Sequence, residues 1–264
     1  MEQTRSVAFL IGMMIFMPLK ADKPNVILVM SDDQGWTQTG YYGHPIAKTP
    51  NLDDMANSGL RMDRFYSGAP FCVPTRATVL TGRTNARTGV LPGGAINKRE
   101  KVLSTAFKEA GYSTAHFGKW HLSGKVIKEH PLRGDNPNNP GEFGFDYWVS
   151  ISEQFNLNPI LSRNGVAEQF EGDGSEVIVD EALKFISRET KKDKPFFIMV
   201  WYSTPHRIFE ASKEDVAPYL GRTDDSSALQ LGELAAMDRS LGTLRQGLRD
   251  LGIARNTLVW FTSD

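Results

Sequence analysis

Four stretches of this chain are apolar enough, and short enough, to be strands buried on both faces: Asn25–Met30 (NVILVM), Tyr112–Phe117 (YSTAHF), Pro195–Tyr202 (PFFIMVWY) and Thr257–Phe261 (TLVWF). Such runs belong to a largely parallel sheet, whose crossovers need helices on its faces. The intervening sequence supplies them. Pro50 opens a short helix that presents Leu52, Met55 and Ala56 and stops before Gly59, and Val102–Ala110 forms a second one closed by Gly111. Val177–Ile186 is amphipathic, and Leu234, Met237, Leu241, Leu244, Leu248 and Leu251 recur at helical spacing up to Gly252. The predicted class is therefore α/β, a largely parallel central sheet flanked by helices. Residues 124–165 are rich in Gly, Pro and Asn without periodicity and read as long loops with short strands, a place where substrate selectivity is often carried.

Thirty basic against thirty-one acidic side chains give a formal charge of -1, which argues against a nucleic-acid partner or an anionic membrane surface. Any anion has to be caught locally. Arg5 followed by the apolar run Val7–Leu19, about thirteen residues, fits a signal peptide covering residues 1–21 better than a membrane span. The expectation is an exported protein, periplasmic or secreted, with no stable membrane insertion and one domain over 22–264. Cys72 is the single cysteine, so it cannot form an internal disulfide and is a free thiol, an intermolecular bridge or a modified residue.

Polar residues follow the apolar runs: Asp32 and Asp33 after the first, Lys119 and His121 after the second, His206 after the third, Asp264 after the fourth. Ligands of open parallel sheets bind outside the carboxyl ends of strands, so these six residues predict one site. Carboxylates are hard ligands suited to calcium or magnesium rather than zinc. An extended segment would put Lys119 and His121 on one face. Pro74 suits the first turn of a helix running to about Thr81, which places Cys72 at its N-terminus with Arg76 one turn on. That position predicts a depressed thiol pKa and favours an anion.

The segment CVPTRATVLTGR, Cys72–Arg83, resembles the CxPxR…TGR signature of the sulfatases. NVILVMSDDQGW, TPNLDDMANSG, GYSTAHFGKWHL, YSTPH and WFTSD resemble further blocks of that family in the family's order, across residues 25–264. The resemblance implies an alkaline-phosphatase-like fold and hydrolysis of sulfate esters, aryl or carbohydrate. It implies that a maturase oxidises Cys72 to formylglycine, whose hydrated aldehyde attacks sulfur. One calcium ion would be held by Asp32, Asp33, Asp264 and the matured Cys72. Arg76 and Lys119 would hold the nucleophile and neutralise sulfate charge, His121 would assist deprotonation, and His206 would sit near the leaving oxygen. The family's Asn ligand after Asp264, a downstream lysine and a C-terminal subdomain are not in the sequence as written. Two other readings stay open at this level: a phosphonate or phosphodiester hydrolase of the same superfamily, and a non-catalytic module that binds sulfated glycans.

Overall fold

The computed structural model describes residues 23–124 and 131–264; the predicted leader, 1–21, lies outside them. Seven strands form one sheet: β1 (Asn25–Ser31), β2 (Ser113–Lys119), β3 (Tyr147–Ile151), β4 (Ile160–Arg163), β5 (Val166–Gln169), β6 (Phe196–Trp201) and β7 (Thr257–Ser263). The order is β5-β4-β3-β2-β6-β1-β7, with β3, β2, β6, β1 and β7 mutually parallel and β4 and β5 antiparallel additions. The helices are α1 (Pro50–Ser58), α2 (Cys72–Thr81), α3 (Asn85–Thr88), α4 (Leu103–Glu109), α5 (Gly174–Thr190), α6 (Lys213–Val216) and α7 (Asp225–Asp250).

The largely parallel α/β architecture follows from the sequence pattern. Two differences are informative. Tyr147–Ile151, inside the segment read as long loops with short strands, is a core strand held between β2 and β4, with Trp148 and Val149 buried. Thr257–Phe261, expected to be buried, is the edge strand among the described residues, hydrogen-bonded on one side by β1, with Leu258 52% exposed.

Alternation along the central strands splits the core in two. One face carries Ile27, Val29, Phe117, Ile198 and Val200 against α5 and α7, which contribute Ile178, Phe185, Met237, Leu241 and Leu244. The other carries Met30, Phe197, Met199 and Trp201 against Val73, Ala77 and Leu80 of α2. Burying helices on both faces leaves the carboxyl ends of β1, β2, β6 and β7 as the sheet's polar outlet.

α1 shows how elements distant in sequence lock together. Pro50 has no N–H to offer, and Thr49 makes no capping side-chain bond, so the first turn's free donors are Asn51 and Leu52. Asp238 of α7 accepts both: Asn51 N–H at 3.0 Å and the Asn51 side-chain amide at 2.9 Å on Oδ2, Leu52 N–H at 2.8 Å on Oδ1.

Candidate active site

The predicted residues converge. β1 continues past Ser31 by hydrogen bonding to both neighbours: Asp32 N–H donates to Thr204 O (3.0 Å) and Asp264 N–H to Ser31 O (3.2 Å). Asp32 is fully buried while Asp33, in the left-handed region at φ 57°, turns its side chain outward, 57% exposed. The strand therefore ends in one inward and one outward carboxylate. The Asp33 amide donates to Asp264 Oδ1 at 3.1 Å, which brings a third carboxylate beside them.

Buried cations meet these acids. The Arg76 guanidinium, wholly inaccessible, donates to Asp264 Oδ2 at 2.7 Å and to the Lys119 carbonyl at 2.9 Å, approaches Asp32 Oδ1 at 3.4 Å, and lies over the Trp201 ring at 5.1 Å. Lys119 Nζ donates to Asp32 Oδ2. Burial pushes the Asp32 carboxyl up, but Arg76 and Lys119 outweigh it and hold it below its ordinary value. Asp264 is pushed up to about 6, by burial first, an effect that Arg76 only partly offsets.

Lys119 reaches this point because of Gly118. At φ 95° its backbone turns where a Cβ would stand 2.1 Å from the Trp201 carbonyl oxygen, so only glycine fits. His121 then adopts φ 55°, with its N–H on Ser152 O at 2.8 Å. Two left-handed residues, rather than the alternation of an extended segment, thus bring Lys119 and His121 to the same corner. The imidazole of His121 is pushed down to about 3, by burial and then by Lys119 and Arg76, so it is neutral, and its Nδ1 has no hydrogen-bond partner among the described residues.

Cys72 is the first residue of α2, as its neighbours predict, but the expected depressed thiol is not what the structure holds. Burial pushes the Cys72 thiol up and outweighs Lys119 and Arg76, whose charges are already engaged by Asp32 and Asp264, themselves a source of upward pressure.

His206 follows β6 and places Nε2 3.3 Å from Asp33 Oδ2. Gln154 contacts the His206 ring and donates to Arg207 O at 2.8 Å. No sequence signal pointed to Gln154, which sits in an aperiodic loop.

Among the described residues, Asp32, Asp33 and His206 are a group whose donor atoms all lie within 4.8 Å of one another, close enough to share an ion. Asp264 and Cys72 stand beside this group: the Asp264 carboxylate is turned to Arg76 and the Asp33 amide. A divalent cation suits the corner on two counts. Among the described residues, Asp32 Oδ1 is buried without a hydrogen-bond donor, and three carboxylates against two buried cations leave a residual negative charge.

The sulfatase family model matches residues 24–264. N-acetylgalactosamine-6-sulfatase of Canis lupus familiaris is 34% identical over 91% of the chain and 50% of its own length. The ulvan-active sulfatase of Formosa agariphila is 29% identical over 92% of the chain and 50% of its own length. The crystal structure of Ps i-CgsB in complex with a neocarrahexaose superposes with a TM-score of 0.82 at 26% identity, covering 91% of this chain and 58% of that one. The chain spans about half the length of the curated relatives it matches. With its fold, its strand-end residues and a family match over nearly the whole described sequence in agreement, the chain belongs to the sulfatase family.

Proposed function

We propose that this chain carries the catalytic site of an exported hydrolase of sulfate esters, acting on sulfated carbohydrates or aryl sulfates. The observation that carries the reading is the buried convergence of Arg76 and Lys119 with Asp32 and Asp264 beside Cys72 at the start of α2. The names of the curated relatives favour a sulfated carbohydrate as substrate. Export rests on the apolar run Val7–Leu19.

The raised Cys72 thiol is a poor thiolate, which favours a matured residue over cysteine chemistry. Formylglycine formed there by a maturase would supply a hydrated aldehyde as nucleophile, and a calcium ion held by Asp32, Asp33, Asp264 and that residue would supply Lewis-acid polarisation. Arg76 and Lys119 supply fixed positive charge for the sulfate oxygens. Both are oriented in advance by their carboxylate partners, so little reorganisation accompanies charge development. His121, neutral at rest, accepts a proton; an anion bound between Lys119 and Arg76 cancels the repulsion that now depresses its basicity. His206, held by Asp33 and Gln154, would sit near the leaving oxygen and donate a proton to it as it departs.

The test is to express the chain with a formylglycine-generating partner and measure the mass of the peptide spanning Phe71–Arg76. Conversion of the thiol-bearing carbon to an aldehyde or its hydrate, with loss of the sulfur, and hydrolysis of a sulfate ester that Cys72→Ala abolishes, are the expected results. An unchanged thiol despite a competent partner, or a higher rate on a phosphonate ester than on the matching sulfate, would count against the reading.

A further inference from the structure

His116 takes no part in the site just described, yet it packs on Trp201, the ring over which the Arg76 guanidinium lies. It is wholly buried in the middle of the strand, with Trp120, Trp201 and Phe145 packed edge-on around its ring at 5.1, 5.0 and 5.5 Å. A phenylalanine would satisfy such a cage; a histidine brings two ring nitrogens that need partners. One is met. Nδ1 lies 2.8 Å from Ser150 Oγ on β3, and the same hydroxyl reaches the His116 carbonyl at 3.3 Å. A serine has one hydrogen to give. Whichever atom donates, the 2.8 Å contact with Ser150 Oγ holds the ring angle. Nε2 is unpartnered among the described residues. Burial and the charge of Arg76 both press the ring toward its neutral form. Trp201 links the two residues, since one indole meets the imidazole edge-on and carries the guanidinium over its ring at 5.1 Å.

We propose that His116, locked by Ser150, is a positioning residue for the sulfate-ester reaction: it sets the Trp201 indole, and the indole sets the guanidinium of Arg76 against Asp264 and Asp32. This rests on the function proposed above for Arg76. The lock spans β2 and β3, so it ties the orientation of the arginine to strand pairing rather than to α2 alone.

The test uses the matured chain, a chromogenic aryl sulfate and three variants. Ser150→Ala keeps every ring contact and releases the imidazole; His116→Phe keeps the cage and deletes both nitrogens. Each is expected to lower kcat by about tenfold with KM within about twofold, because a displaced charge costs transition-state stabilisation more than ground-state binding. The double variant is expected to be no worse than His116→Phe, as two parts of one route do not add. Unchanged kcat in both single variants, even with a lowered Tm, would reduce the pair to packing and overturn the proposal. A second readout needs no turnover. In a cycle of His116→Phe with Arg76→Met, the effects on the unfolding constant are expected to miss multiplicativity by at least about threefold. A chain inactive on every sulfate ester but coupled in that cycle refutes the assigned reaction and keeps the positioning link. An active chain with no coupling and unchanged kcat refutes the link alone. If His116→Phe does not fold, kcat of Ser150→Ala decides.

Discussion

Replacing Asp238 by alanine removes a side chain that caps a helix it does not belong to. Its carboxylate, 2% exposed, receives two backbone N–H groups and one side-chain amide from the first turn of α1, at 2.8–3.0 Å. An ordinary exposed cap is worth about 0.5–2 kcal/mol. Here the acceptor is charged, and without it the buried Leu52 N–H and the part-buried Asn51 N–H would be left unpaired, at about 1–3 kcal/mol each. Part of this is returned, since burial raises the Asp238 pKa above its ordinary value, a sign that the carboxylate itself is costly to hold. The net expectation for Asp238→Ala is about 3–4 kcal/mol, and for Asp238→Asn, which keeps one acceptor oxygen, about half of that. Urea unfolding at constant m reads both directly. A loss below about 1 kcal/mol in Asp238→Ala would show that water replaces the carboxylate at the head of α1 and that the α1–α7 junction is not sealed.

Glu233, buried on α7, accepts the Glu210 N–H at 2.6 Å and is pushed up to about 8 by burial and then by Asp173 and Glu210. The folded state therefore holds a proton that the unfolded chain releases near 4.5, so this contribution to stability is full below that pH and is lost as pH rises to about 8. Thermal unfolding between pH 5 and 9 is expected to show that decline, of the order of 3 kcal/mol, flattened in Glu233→Gln; equal slopes in the two proteins would refute it. Gly118→Ala forces a Cβ against the Trp201 carbonyl at a positive φ, and a loss of about 2–4 kcal/mol in denaturant unfolding is expected. Lys119→Met in the matured chain is expected to lower kcat by about 10²–10³-fold, read with the same aryl sulfate, because one of two fixed charges at the sulfate is lost.

The strand ends were legible because a parallel sheet buried on both faces needs unbroken apolar runs and discards polar residues at their carboxyl ends. Asp32, Lys119, His206 and Asp264 could be placed at one edge on that ground alone. Short strands were expected around β3, but its bounds were not, because Ser150 interrupts an already short run, and its place between β2 and β4 comes from pairing that no local pattern encodes. The Cys72 thiol was misjudged for a related reason: proximity to cations is readable from spacing, whereas the carboxylates that absorb their charge come from β1 and β7. Likewise the joint placement of Lys119 and His121 depends on left-handed backbone at Gly118 and His121, and a non-glycine residue at positive φ leaves little trace in sequence.

The contact between the Asp33 amide and Asp264 joins residues 231 apart in the chain. β1 is made early in the sequence but is completed on one side by β6 and on the other by β7. A parallel pairing of that separation closes a very long loop, and such pairings form slowly and late. The local helices and the β2–β3 pair can collapse before it; the acidic corner cannot. Until β1 and β7 dock, Arg76 lacks Asp264 and Lys119 lacks Asp32 as countercharge. The slowest phase of refolding should be the one in which these two cations become inaccessible, so that the chemistry of the molecule is the last thing its folding completes.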